Sequence, residues 1–151
     1  MSSYTRPDFR LAPQPTAESA SFWTGGERDE LLITKCRSCD HFFHPPGPSC
    51  FRCRSLDVAP EPTSGRGFVA AWTVNQQQWL PGMPPPYIVA MVELAENRDV
   101  RVTTTVVDIG PADLRVGLEV QVFFEAWGEG EDRVWIPLFR PVPAPAKGES
   151  S

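Results

Sequence analysis

The chain has 151 residues, with 14 Lys and Arg against 19 Asp and Glu, and 17 prolines. That length accommodates one ordinary domain or two small ones, and the formal charge of −5 opposes long-range attraction to phosphate backbones. Prolines crowd the start, the stretches around Pro45 and Pro84, and the tail, which excludes long helices.

The first residues, MSSYTRPDFR, lack the apolar run of a secretory signal, and no segment offers about 18 uninterrupted apolar residues for a membrane span. The expectation is a soluble cytoplasmic protein with no membrane partner. Residues 1–15 contain three prolines and little periodicity, and read as an extended or wrapping arm. Thr16 offers a cap for a short helix running to about Arg28, which Gly25-Gly26 stops or bends. Phe22 and Trp23 lie near its end and read as docking it on the rest of the protein, with a partner-facing role the alternative.

Leu31, Leu32 and Ile33 lead into Cys36 and Cys39, and a second pair, Cys50 and Cys53, follows ten residues later. Each C-x-x-C turn brings two thiolates to one ion, and two such pairs complete the tetrahedral sulfur shell that zinc prefers. Iron fits the same shell, and in a secreted chain the four thiols could instead close into disulfides. Phe42-Phe43-His44, between the pairs, takes the place of a ribbon's second short strand. His41 and His44 are read as neighbours of the site, since four thiolates already fill a tetrahedron. A metal here is structural: it offsets the missing core of a unit of about 30 residues.

From Gly65 the pattern changes to strands separated by turn residues. GFVAAWTVNQQQW is a first long strand, with Gly65 and Gly67 allowing a bend or a close backbone approach. YIVAMVEL, from Tyr87 to Leu94, is almost continuously apolar and suggests burial on both faces. DVRVTTTVVD alternates as a half-exposed strand does; a turn at Pro111–Leu114 follows; and LEVQVFF sends Leu118, Val120, Val122 and Phe124 to one face. A glycine-rich connection at 127–132 leads into a last strand beginning at Val134, where Pro137 suggests an edge position. Five strands with a helical interruption between the third and fourth predict a five-stranded OB-fold barrel. The chain is therefore read as mainly β, with an arm and short helix over 1–30, a four-cysteine zinc ribbon over 31–60, the OB-fold over 61–142 and a disordered tail over 143–151.

FWTGGERDELLITKC, a four-cysteine ribbon containing FFHPPGPSC, then SGRGFVAAWTV, PYIVAMVEL, DLRVGLEVQVFFE and IPLFRPV resemble the OB-fold proteins with a rubredoxin-like zinc ribbon associated with acyl-CoA metabolism. The likeness covers about residues 20–142. It implies a small partner subunit of thiolase-like or hydratase enzymes, including the aldolase of steroid side-chain degradation, that works on acyl-CoA thioesters within a hetero-oligomer. That family places glycine after each cysteine pair and proline inside the second; this chain has Asp40, Arg54 and Phe51 there.

No nucleophile constellation, nucleotide-phosphate loop or dinucleotide turn is present in the sequence, so no catalytic residue is assigned and no activity is expected of the chain alone. Glu93, Glu96, Glu119 and Glu125 read as solvated outward carboxylates. Trp72, Trp79 and Tyr87 flank the proline-rich loop LPGMPPP, while Arg66, with Arg37, Arg52 and Arg54 in the ribbon, offers cations. Stacking on adenine and pairing with phosphate would suit acyl-CoA, and the same residues would suit a protein partner. The alternative is an OB-fold that binds single-stranded nucleic acid, which the net charge disfavours.

Overall fold

The computed structural model describes residues 3–143, so the expected disordered tail lies outside the described residues except for Pro143. Residues 3–15 have no helix or strand. Thr16 and Ser19 then exchange hydrogen bonds, Thr16 N–H donating to Ser19 Oγ at 2.9 Å and Ser19 N–H to Thr16 Oγ1 at 3.2 Å. This turn launches α1 (Ala20–Thr24), which tightens into a 3-10 turn at Gly25–Arg28. The helix is shorter than the expected run from Thr16. Gly26 lies so close to Phe124 and Trp135 that a β-carbon there would collide with both, and this contact fixes the turn against the barrel.

Strands β1 (Leu31–Cys36), β2 (Phe42–Phe43) and β3 (Val58–Thr63) form an antiparallel sheet in the order β2-β1-β3. No strand is expected from the sequence at β3, a segment that contains Pro60 and Pro62. Both prolines are on an edge strand, paired with Thr34 and Leu32, where alternate N–H groups point away from the neighbour and their loss breaks no ladder bond.

The second sheet has five antiparallel strands in the order β6-β5-β4-β7-β8: β4 Arg66–Asn75, β5 Tyr87–Leu94, β6 Arg101–Thr105, β7 Glu119–Trp127 and β8 Val134–Pro141. A 3-10 turn at Pro111–Asp113 separates β6 from β7. The two ends of the sheet meet: Val106 bridges Phe139 in parallel, Val107 N–H donates to the Phe139 carbonyl at 2.9 Å, and Thr104 Oγ1 donates to the Pro137 carbonyl at 3.0 Å. The result is the expected OB-fold, with Pro137 on a strand at the end of the sheet order. Its interior is filled by Val69, Ile88, Val92, Leu94, Val102, Val120 and Phe139, joined by Phe22 from α1 and by Leu31 and Ile33 from β1. A fully buried side chain such as Phe139 contributes about 1.5–3 kcal/mol.

Gly65 (φ +71°) and Gly67 meet the expectation of close approach, one against Val122 and the other against Val92 and Glu93 of β5. Two expectations are corrected. β5 is buried on one face only, through Ile88, Ala90, Val92 and Leu94, while Tyr87, Val89, Met91 and Glu93 are half-covered, as befits a barrel strand with an interior and an outer face. β4 ends at Asn75 rather than Trp79, because Asn75 is diverted into local bonds: its Oδ1 accepts from Trp79 Nε1 at 2.9 Å and its Nδ2 donates to the Gln77 carbonyl.

Candidate functional site

The sulfur atoms of Cys36, Cys39, Cys50 and Cys53 all lie within 4.8 Å of one another, with Cys36–Cys53 at 3.5 Å and Cys39–Cys50 at 3.7 Å. Zn–S bonds of about 2.3 Å in a tetrahedron require sulfur separations of about 3.8 Å, so the donor set fits a four-thiolate ion. The separations far exceed a disulfide bond of about 2.05 Å, and all four cysteines are free.

The two turns are built alike. Cys36 N–H donates to the His41 carbonyl and Cys50 N–H to the Ser55 carbonyl, each at 2.9 Å and each five residues ahead. The residue after each pair takes the left-handed conformation, Asp40 at φ +59° and Arg54 at φ +64°, where glycine costs least. The non-glycine residues at those positions thus keep the backbone path that glycine would give. Cys53 N–H points at Cys50 Sγ at 3.5 Å, and this donor, against the cost of burial, lowers the Cys50 thiol to about 7. His44 stacks on Phe22, with ring centres 4.7 Å apart, and His41 meets the Phe51 ring edge-on at 5.2 Å; neither belongs to the sulfur cluster.

The residues read as ligand contacts are not gathered in one place. Arg66 opens β4 and is bound to Glu119 at 2.8 Å, whereas Trp79 lies beyond the other end of that strand, about 30 Å of extended chain away. Trp72 is paired with Ala90 on β5 and Trp79 is exposed. Tyr87 lines a cleft of about 960 Å³ at the end of β4 and β5, walled by residues 3–8 and Arg10 of the arm, by the 82–86 loop and by residues 105–111. Among the described residues, no helix is long and apolar enough to cross a membrane.

Residues 23–59 match the family model of the ChsH2 rubredoxin-like zinc ribbon domain, and residues 61–125 match that of the ChsH2 C-terminal OB-fold domain. A DUF35 domain-containing scaffold protein of Methanothermobacter thermautotrophicus is 36% identical over 111 residues, 72% of this chain and 82% of that one. This chain belongs to the ChsH2 (DUF35) family. The solved structure of the Ltp2-ChsH2(DUF35) aldolase has a chain that is 30% identical, with a TM-score of 0.72 covering 86% of this chain and 98% of that one. A probable enoyl-CoA hydratase alpha subunit of Thermomonospora curvata is 32% identical over 134 residues; the match takes in 87% of this chain but only 40% of that relative.

The ribbon model begins at residue 23 and the OB-fold model at residue 61, and the segment before both carries a cluster that sequence reasoning missed. Glu125, expected on a solvated face, is 5% exposed. Its carboxylate accepts the Tyr4 hydroxyl, Arg10 Nε at 2.9 Å and Trp127 Nε1 at 2.6 Å. The Arg6 guanidinium lies 3.9 Å from the Trp127 ring centre, and the N–H groups of Ser3 and Tyr4 both donate to Asp108 Oδ1 at 2.8 Å. The arm thus covers the outer face of β7, which is why the carboxylate is not in water. Glu93 is also shielded, between Arg98 and Arg101, whereas Glu119 is solvated beside Arg66 and Glu96 accepts the Ser64 N–H.

Proposed function

We propose that this chain is a non-catalytic accessory subunit of an acyl-CoA enzyme, docking on a thiolase-like partner and supporting that partner's activity. The observation that carries this reading is the match of ribbon and barrel together to 98% of a chain of the Ltp2-ChsH2(DUF35) aldolase. The internal chemistry is consistent with it: the four thiolates are committed to one site and both histidines are engaged with phenylalanine rings. The metal held by Cys36, Cys39, Cys50 and Cys53 is zinc, which braces the ribbon and takes no part in turnover. A reducing, cytoplasmic setting keeps these thiolates available to it.

In the complex, the cleft beside Tyr87 faces the acyl-CoA thioester. Its volume is that of a small-molecule site, and Val74, Met83 and Ile88 give it an apolar floor. Trp72, Trp79 and Arg66 then serve the partner's surface rather than the same ligand. The single-stranded nucleic-acid reading has less support, since Arg37, Arg66, Arg98 and Arg101 are each paired with a carboxylate.

Co-expression with a thiolase-like protein of the same genome, followed by size exclusion and thioester turnover assays, tests the proposal. A stable hetero-oligomer more active than either chain is expected. Absence of any complex, with full activity of the thiolase-like protein alone, would end it. Metal analysis should find one zinc per chain, and a coloured iron centre would overturn that part.

A further inference from the structure

Among the described residues the most exposed large apolar side chain, Leu56, is on the ribbon, and Phe51, five residues before it, is as exposed as Leu11 of the arm and Val116 ahead of β7. Phe51 is 71% exposed and Leu56 79%, and both belong to the second cysteine turn and the loop that leaves it. Arg52 and Arg54, also exposed, lie between them, and among the described residues neither is paired with a carboxylate. Asp57, the nearest acid in sequence, faces Arg37 at 3.9 Å. A chain of net charge −5 therefore presents, within the six residues 51–56, two exposed apolar side chains and two arginines that no carboxylate pairs among the described residues.

The tip is also rigid. Phe51 stands edge-on to His41 and to the buried Phe43, at 5.2 and 5.8 Å. The loop carrying Leu56 is tied to the first cysteine turn by the Ser38–Ser55 hydroxyl pair at 2.8 Å and by Arg37 N–H donating to the Asp57 carbonyl at 2.9 Å. The Phe51 ring, already held against two others, loses little entropy on binding, and a well-placed aromatic flanked by arginines is the composition of interface hot spots.

We infer that this tip, Phe51 and Leu56 flanked by Arg52 and Arg54, is a docking surface for a protein partner that offers an apolar depression bordered by carboxylates. A second copy of the chain is a poor occupant, because a two-fold contact would set Arg52 and Arg54 against the same residues of the other copy. The inference rests on the accessory-subunit reading and specifies which face meets the partner. It gives the metal a purpose in assembly: the ion holds the anchor residues in place although no part of it touches the partner's chemistry.

The test measures binding of the thiolase-like protein to the wild type, to Phe51→Ala with Leu56→Ala, and to Arg52→Glu with Arg54→Glu. Zinc content verifies that each variant retains its ribbon. The apolar variant should weaken the complex by about tenfold or more through faster dissociation. The charge-reversed variant should slow association and abolish its decline with rising salt. Wild-type binding by both variants would overturn the inference while leaving the accessory-subunit reading intact. Absence of any wild-type complex would overturn both. Phe51-dependent self-association, or Arg52-dependent binding of a labelled single-stranded oligonucleotide with the protein complex unaffected, would assign the tip to another occupant and so reject it.

Discussion

Burial alone would raise the Glu125 carboxyl, but the hydrogen bonds from Tyr4 and Trp127 and the charge of Arg10 outweigh it and hold the group below the ordinary range. The same contact acts in reverse on Tyr4, whose burial and bond to Glu125 push its hydroxyl up to about 12. A carboxyl depressed by folding stabilises the native state above its unfolded pKa of about 4.3, and that contribution is lost as pH falls through the lower folded value. Urea unfolding from pH 7 downward should therefore show stability declining below about pH 4.3 in the wild type and a smaller decline in Glu125→Ala. At pH 7 that variant should be destabilised by about 3 kcal/mol, because Arg10, only 12% exposed, loses its counter-charge. Equal stability of the two proteins at pH 7 would show that the arm is not held through this carboxylate. Nothing in the sequence around Glu125 announced this role. Its partners lie 115 and 121 residues away, and an arm without periodicity gives no sign of which strand it will cover.

The ribbon was legible because cysteine spacing encodes a metal site locally: the chemistry of two tight turns needs no knowledge of the rest of the fold. Its third strand was not, because Pro60 and Pro62 argue against a strand until the edge position is known. The barrel strands were found from their alternation, with errors at Asn75 and in the outer face of β5, where side-chain bonds and coverage by other segments decide the outcome. Metal removal should divide the ribbon in two. Cys36, Phe43 and Cys50 form a cluster of their own, whereas Leu31 and Ile33 at the start of β1 are part of the barrel core. A chelator should therefore make all four thiols reactive and melt residues 36–57, while the start of β1 and the barrel persist. Thiol titration beside hydrogen exchange checks this, and loss of protection throughout the barrel would contradict it.

Besides β1 and the β3–β4 link, one short segment before β1 also ties ribbon to barrel. Phe22 enters the barrel core while its ring meets both Trp23 and the ribbon's His44, each with centres 4.7 Å apart. A few residues on, Gly26 seats the 3-10 turn on Phe124 of β7 and Trp135 of β8, and only four residues separate that turn from Ile33. Glycine is required here for space rather than for φ, so Gly26→Ala forces the turn away from the barrel at a cost of about 1–3 kcal/mol. The strain should reach Leu31 and Ile33 and lower the barrel's unfolding midpoint. Zinc content and resistance to chelation should stay unchanged, since the sulfur cluster is anchored by its own turns. Cys39→Ser should do the reverse, releasing the metal with a smaller effect on the barrel. Parallel denaturation and metal-retention measurements on the two variants distinguish a chain of two separately secured units from one that unfolds as a whole. If Gly26→Ala also released the metal, the joint at Phe22 would have to be carrying the ribbon's stability as well as its position.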